Sequence, residues 1–363
     1  MRNYVLVSVS DKTNIIPLVG FLYQKGYTIL STGGTFKEIY NNLEGVRDRL
    51  IQVSDFTGFE EILGGRVKTL HPKIYGGLLW DEKFDCEGIT KIDMVVVNLY
   101  PFKEVIGKDD TTEEMAIENI DIGGVSLIRA AAKNFKNVIL IVDPNDYQNI
   151  IEKWEETNSY LYRKELAIKG FNMVTEYDAC ITNYFDSNIT FRRYQQQKSL
   201  KYGCNPYQDN AAIYTMDDNQ IPFKVLNGNP GYINLLDAIN SWLLVVEVEK
   251  TIGKTAASSF KHTSPAGVAI SNGQISDIEK KIYDIESHDL SNSPTAEAFI
   301  KARNADPLSS FGDFISISGI VDVTCARLIS REVSDGIIAR GYTPEAFQIL
   351  KAKKKGNYII LDG

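Results

Sequence analysis

The sequence predicts an α/β protein of two domains, the first built on a doubly wound parallel sheet. Three observations lead there. Over the first half, short β-rich runs alternate with stretches whose apolar residues recur at helical spacing. The run at Met94–Leu99 is apolar without polar alternation, as strands of a parallel sheet buried on both faces are. A chain of 363 residues, at about 150 residues per domain, favours two domains.

The elements follow in order. Tyr4–Val9 is a strand, and Ile15, Ile16, Val19 and Leu22 then keep helical spacing up to Gly26. Thr28–Leu30 is a second strand, ending in a turn at Ser31–Thr35. Met94–Leu99 and Val138–Val142 are further strands, the latter stopping at the helix-start signal Asp143-Pro144. A long helix over Arg163–Phe185 places Ala167, Phe171, Val174, Ile181 and Phe185 along one stripe. The polar stretch after it sets the domain boundary near Gln195–Lys198, giving domains 1–196 and 197–363. In the second, a helix at Asn234–Lys250 carries Leu236, Ile239, Leu243 and Val246 at three- and four-residue spacing. Ala256–Phe260, Val268–Ile270, Phe314–Ile317 and Tyr358–Leu361 read as strands, and no internal repeat is visible. The chain finishes at Gly363 directly after a candidate strand, which reads as a truncation.

Composition narrows the function. Thirty-nine basic against 47 acidic residues give a net charge of -8, which argues against bulk binding to nucleic acid or anionic membranes. The run Lys351–Lys355 reads as a solvated helix end, favourable at the negative pole of the dipole. The longest apolar runs fall far short of the roughly 20 residues of a membrane span, and the N-terminus lacks a signal-peptide core. Cys86, Cys180, Cys204 and Cys325 are too far apart for a CxxC motif or a disulfide lattice, and three histidines are few for a zinc site. A soluble, reduced, cytosolic protein without a structural metal is expected.

Several motifs carry chemistry. Ser8–Thr13 ends a strand and opens a helix, so Ser10, Lys12 and free helix amides can cradle a phosphate, although an N-cap beside a solvated lysine explains it more simply. A second loop after the next strand, Thr32–Thr35, supplies two glycines and two hydroxyls. Two such loops raise the phosphate reading to parity with ordinary turns. Gly64–Pro72 gathers two glycines, Arg66, Lys68, Thr69 and His71; His71 beside Pro72 is as consistent with a structural role as with a catalytic one. Asn98 and Tyr100 close the apolar strand, where ligands bind in such sheets. Asp121 caps a helix or pairs with Lys133 at its far end, and such a pair can exchange protons with a substrate if burial shifts its pKa values. In the second half, Lys261-His262 ends a strand; His262 is a core histidine by base rate, or a base kept neutral by the adjacent lysine.

SVSDK, STGGT, GGRVKTLHP, NLYPF, DIGG and RAAAKN occur here in an order that resembles the bifunctional purine-biosynthesis family AICAR transformylase/IMP cyclohydrolase. LKYGCNPYQ, VLNGNPGYINLLDA, FKHTSPAG, DPLSSFGDF and ISREVSDGII resemble the start and middle of its transformylase domain. The resemblance implies a methylglyoxal-synthase-like domain followed by part of a cytidine-deaminase-like transformylase domain, without the deaminase zinc motif. It implies a hydrolase and transferase: cyclisation of formyl-AICAR (FAICAR) to IMP without a cofactor, and formyl transfer from 10-formyltetrahydrofolate to AICAR. Ser10, Lys12, Thr32, Gly34, Thr35 and Arg66 would hold the 5′-phosphate, with Thr69, Asn98 and Gly123 along the substrate. Lys68, Tyr100, Asp121 and Lys133 would surround the reacting groups. Lys261 and His262 would handle protons in formyl transfer, and Lys201, Tyr202 and Asp335 would contact nucleotide and reaction centre. Lys201 stands where the family has arginine and Tyr207 where it has histidine. Little transformylase activity is expected from this chain alone. Nucleotides and folate are the implied partners, in a homodimer, with no nucleic acid and no membrane. The alternative is a non-catalytic regulatory module or remnant that binds a nucleotide or phosphate.

Overall fold

The computed structural model describes residues 3–84, 87–216, 220–273 and 275–363. The chain forms two compact units, Met1–Arg192 and Arg193–Gly363. The boundary expected at 196/197 falls inside a strand of the second unit.

The first unit runs β1 (Asn3–Ser8), α1 (Ile15–Gln24), β2 (Tyr27–Ser31), α2 (Gly33–Asn42), β3 (Leu50–Gln52), α3 (Val53–Thr57), α4 (Pro72–Leu78), β4 (Met94–Val97), α5 (Phe102–Ile106), α6 (Glu113–Glu118), α7 (Gly123–Lys133), β5 (Ile139–Ile141), α8 (Tyr147–Glu152) and α9 (Tyr160–Phe185). Its five strands are all parallel, in the order β3-β2-β1-β4-β5. The apolar strand runs have a direct cause. Val5, Val7, Ile29, Met94 and Val96 face a core completed by Ile15, Leu18 and Leu22 of α1. Leu6, Leu30, Val95 and Val97 face the opposite core, with Ile74, Leu127 and Val174 from α4, α7 and α9. Successive side chains point to opposite faces, and both faces are covered, so alternation would bury polar groups. The strand order reverses between β1 and β4, which opens a crevice at their carboxyl ends.

Two expectations need correction here. The segment at Ser31–Thr35 is not a free turn: Thr32 is the N-cap of α2 and Gly33 its first residue. On α9, Ala167 and Val174 are buried, but Phe171 and Phe185 are 39% and 45% exposed. The buried face runs instead through Leu166, Ala167, Gly170 and Val174. At Gly170 an added Cβ would lie 2.5 Å from Leu140, so a residue without a side chain makes the closest approach.

The second unit comprises β6 (Tyr194–Ser199), β7 (Ala212–Met216), β8 (Lys224–Asn227), α10 (Tyr232–Ile252), β9 (Ala256–Lys261), β10 (Ser264–Ile270), α11 (Asp277–Ile282), α12 (Pro294–Arg303), β11 (Asp313–Val321), α13 (Val323–Arg331), β12 (Ser334–Tyr342), α14 (Pro344–Lys351) and β13 (Ile359–Asp362). Its main sheet has the order β10-β9-β11-β12-β13-β8, with β11, β12 and β13 parallel and β9 antiparallel to β11. One face packs Ile315, Ile317 and Ile337 against Phe299, Leu328 and Leu350 of α12, α13 and α14. The other packs Phe314, Ile338 and Leu361 against Leu235 and Ala238 of α10.

The stripe expected on α10 is displaced by one residue. Leu235, Asp237, Ala238, Ser241 and Val245 are buried, while Ile239 and Leu243 are 39% and 64% exposed. Polar residues on the inner face have partners there: the Asp237 carboxylate accepts the Thr263 N–H at 2.6 Å, and the Ser316 hydroxyl donates to the main-chain carbonyl of Ser241 at 2.9 Å. The lysine run is also more than a solvated helix end. Lys353 donates to the carbonyls of Ile329 and Glu332 at 2.8 and 2.7 Å, closing the C-terminus of α13. Burial, with Lys354 beside it, pushes its pKa down to about 8. Among the described residues no helix is long and apolar enough to cross a membrane. Cys86 lies outside the described residues, and the other three cysteines are free thiols.

Candidate active site

A cavity of about 660 Å³ opens at the carboxyl ends of β1, β2 and β4 in the first unit. Its walls come from separate stretches of chain: Ser8–Lys12, Thr32–Thr35, Gly64–Leu70, Asn98–Tyr100 and Ile117–Gly124. One wall is the start of α2. The amides of Gly33, Gly34 and Thr35 precede the first intrahelical bond, which Phe36 donates to Thr32, so they remain available to an anion. Two ammonium groups converge there. Lys68 Nζ lies 3.3 Å from where a Cβ on Gly33 would sit, and Lys12 Nζ lies 3.9 Å from the same point on Gly34. A side chain at either glycine would occupy that space.

Several expected ligand residues instead build this wall. The buried Thr35 hydroxyl donates to the Val9 carbonyl at 3.0 Å and accepts the Val9 N–H at 3.1 Å, so it clamps β1 to α2. Asn98 accepts the N–H groups of Ser10 and Asp11 at 2.7 and 2.9 Å and donates to the Asp11 carbonyl at 2.8 Å. The Thr35 hydroxyl proton and the Asn98 oxygen are thereby taken up, and both residues, which also line the cavity, fix the loop that carries Ser10 and Lys12. Thr32 shares a hydrogen bond with Ser8 at 3.1 Å.

The rest of the lining carries Arg66, Thr69, Tyr100 and Asp121. Arg66 is paired with Glu118, a residue the sequence reading did not single out. Lys68 lies 3.8 Å from Glu61. The Asp121 carboxylate accepts the Gly124 N–H at 2.7 Å, and a Cβ on Gly124 would lie 2.6 Å from its other oxygen. Gly123 packs against the Thr69 hydroxyl, 3.1 Å from its Cβ position. Burial raises the Asp121 pKa, opposed by the amides of Gly124 and Tyr100. A carboxylate so placed is a stronger base than an exposed one and still has a hydrogen bond that fixes its direction.

Lys133 is not in this cavity. It is exposed at the last turn of α7, whereas Asp121 lies before the first. About 15 Å of helix, at 1.5 Å per residue, separates them, so the expected Asp121–Lys133 pair is not formed. His71 has the structural role: it is the N-cap of α4, and its Nδ1 accepts the Lys73 N–H at 3.1 Å. The sequence reading missed Tyr177 of α9, whose hydroxyl accepts the Asp121 N–H at 2.8 Å and donates to the Asn119 carbonyl at 2.9 Å.

In the second unit, Lys261 and His262 lie at the turn between β9 and β10, where His262 and Thr263 take left-handed φ values of 54° and 61°. Lys261 Nζ donates to the Phe311 carbonyl at 2.7 Å. The turn is held by Asp237, another residue not foreseen, which accepts the Thr263 N–H at 2.6 Å. Burial raises the Asp237 pKa; the Thr263 N–H and His262 lower it and Asp335 raises it further. Asp335, at the start of β12, pairs with Lys354 at 2.6 Å. Lys201 and Tyr202 run beside the start of α10, with the Tyr232 N–H donating to the Tyr202 carbonyl at 3.2 Å. Among the described residues no group of three or more His, Cys, Asp and Glu side chains could hold a metal ion.

Comparison with known proteins supplies the family. Residues 14–126 match the MGS-like domain, and residues 131–363 match the AICARFT/IMPCHase bienzyme. The bifunctional purine biosynthesis protein PurH of a Thermoanaerobacter species is 40% identical, over 98% of this chain and 68% of its own length. PurH of Leptospira biflexa is 39% identical, over 96% and 66%. PurH of Clostridium acetobutylicum is 38% identical, over 98% and 68%. The chain thus spans about two thirds of the length of these relatives. A solved structure described as ForH aligns with 51% of this chain and 99% of its own at 31% identity, with a TM-score of 0.43. With one family model matching 14–126, another matching 131–363, and relatives about 40% identical among bifunctional purine biosynthesis proteins, the chain belongs to the AICARFT/IMPCHase bienzyme family.

Proposed function

We propose that the first unit closes FAICAR to IMP in the cavity at the carboxyl ends of β1, β2 and β4. The observation that carries this reading is the pairing of two unlike walls. The free amides of α2 with Lys12 suit a phosphate, and the other wall holds Tyr100 and a carboxylate of raised pKa, Asp121, with Lys68 between the two. A phosphate sensor needs the first wall and has no use for the second. In the reaction the carboxamide nitrogen attacks the formyl carbon, forming the ring N–C bond. Asp121 takes the proton that nitrogen loses. The formyl oxygen becomes a hydroxyl and leaves as water, with the second hydrogen drawn from the formamide nitrogen. Lys68 and Tyr100 steady the oxyanion as it develops. Held in place the attack is intramolecular, so much of the acceleration comes from selecting the cyclising rotamer. Ser10, Lys12, Gly34 and Arg66 bind the 5′-phosphate, Arg66 exchanging Glu118 for it.

The second unit, in this reading, is the part of the formyl-transfer module that carries Lys261, His262, Lys201, Tyr202 and Asp335. AICAR accepts the formyl group and 10-formyltetrahydrofolate donates it, in a cytosolic homodimer.

The test is the absorbance change when purified chain meets FAICAR without folate or added metal. Formation of IMP is expected. Binding without turnover would favour the regulatory module, and no binding would remove the reading altogether.

A further inference from the structure

We infer that Tyr177, on α9, is a positioning residue for cyclisation, fixing the loop that carries Asp121 and bracing the loop that carries Tyr100. Its part in turnover rests on the cyclohydrolase reading; its hold on Asp121 does not.

The tyrosine lies three residues beyond Val174 on the buried face of α9, yet its hydroxyl bonds only to main chain. It accepts the Asp121 N–H at 2.8 Å and donates to the Asn119 carbonyl at 2.9 Å. A phenol has one proton to give, and here it is given to the carbonyl two residues before Asp121. The segment between α6 and α7 is therefore held on both sides of Ile120 by one oxygen. Without that oxygen, an N–H and a carbonyl in a partly buried loop lose their partner. The Gly124 N–H fixes the carboxylate itself, so side chain and main chain of Asp121 are held independently.

The ring does a second task. It meets Phe102 edge-on, with centroids 6.1 Å apart. Phe102 is buried, and its N–H donates to the Tyr100 carbonyl at 2.8 Å. Tyr184, about two turns further along α9, meets the Phe102 ring at 5.9 Å. Tyr177 thus joins the two loops that carry Asp121 and Tyr100 without itself lining the cavity. Arg66, Lys68 and Glu118 share the cavity with Asp121, and Tyr75, Tyr100 and Tyr177 lie beside it on other elements. Apart from the Tyr177 phenol itself, none of these changes when its oxygen alone is removed.

The experiment compares the whole chain with its Tyr177→Phe and Tyr184→Phe variants. Two quantities are read: titration of the Asp121 carboxyl by NMR without ligand, and kcat and KM for FAICAR. In Tyr177→Phe the loop loosens and water reaches the carboxylate, so Asp121 should titrate lower, toward the ordinary carboxylate range. kcat should fall roughly ten- to hundredfold, the scale of a small misplacement of a reacting group, with KM little changed. Tyr184→Phe, which keeps the ring on Phe102, should change neither. An Asp121 titration identical in wild type and Tyr177→Phe overturns the inference, as does an equal shift in Tyr184→Phe. If the wild type does not turn over FAICAR, the cyclohydrolase reading fails and the titration alone decides for Tyr177. If Tyr177→Phe does not fold, hydrogen exchange on the wild type decides: the Asp121 amide should be protected, and exchange at an unstructured rate overturns the inference.

Discussion

In the first unit the candidate residues meet at the carboxyl edge of the sheet, whereas in the second they meet at the amino edge of β11 and β12. The cause is strand direction. Five parallel strands send every loop that follows a strand to one side, so stretches from Ser8 to Gly124 share one cavity. In the second unit β9 runs antiparallel to β11, so its carboxyl end, with Lys261 and His262, arrives where β11 and β12 begin. Asp237 and Asp335 sit at that edge, where the Asp335 charge helps to raise the Asp237 pKa. The familiar rule about carboxyl ends locates the first site and would miss the second. The two sites also differ in what holds them. Hydrogen bonds to main chain shape the first through Thr35, Asn98 and Tyr177. In the second, a carboxylate holds a turn of left-handed residues, a conformation that L-residues adopt at some cost.

That contrast can be broken at its strongest point first. Asp121→Asn should lower FAICAR cyclisation by about 10²–10⁴-fold, as loss of a general base does, while leaving nucleotide binding intact; single-turnover rates beside a binding titration decide it. Unchanged turnover would remove Asp121 from the reaction and the first unit from the comparison.

The largest stability effect belongs to the second unit. Arg303 and Asp313 are both buried and pair at 2.9 Å. Burial raises the Asp313 pKa to about 6, against the pull of Arg303 and Ser259. Arg303→Met leaves that carboxyl without its cation and should cost about 3–5 kcal/mol in a urea titration. A loss below about 1 kcal/mol, the scale of an exposed pair, would show the pair to be solvated.

A subtler change sharpens the first site. Gly124→Ala puts a methyl 2.6 Å from an Asp121 oxygen, so the carboxylate must turn. The expected loss in kcat is roughly tenfold or more with the fold intact, and a fully active variant would show that the direction of Asp121 does not matter.

The smallest effect is in pH. Because burial raises the Asp121 pKa, kcat should fall on the acid side with an apparent pKa above that of an ordinary carboxylate. The linked stability has the opposite sense to an ion-paired carboxylate. The folded chain holds this proton more tightly than the unfolded one, so Asp121 costs nothing below the unfolded pKa. Its cost grows as pH rises toward the folded value. A profile flat to the ordinary carboxylate range would place Asp121 in water.

Much of this was legible in the residues. The apolar runs at Tyr4–Val9, Met94–Leu99 and Val138–Val142 announced a sheet covered on both sides, because only such strands dispense with polar alternation. The loops at Ser8–Thr13, Thr32–Thr35 and Gly64–Pro72 carried their chemistry in residue type alone. Less legible were contacts made by small residues. Gly170 and Ser241 are invisible to a search for apolar stripes, and they set which faces of α9 and α10 are buried. Strands such as β6 and β12 contain charged or polar residues that read as loop.

The sequence by itself determined the fold class and which stretches could carry a reaction, since periodicity and residue type are local properties. Only the tertiary structure decided which of those residues can act together. It seated Lys12 and Lys68 at one helix start and took Thr35 and Asn98 into the scaffold. It left Lys133 at the far end of α7, and it brought Tyr177, 56 residues further along the chain, onto the amide of Asp121. Hydrogen bonds and ion pairs form at about 3 Å, and no spacing along a chain specifies a distance of that size between residues so far apart.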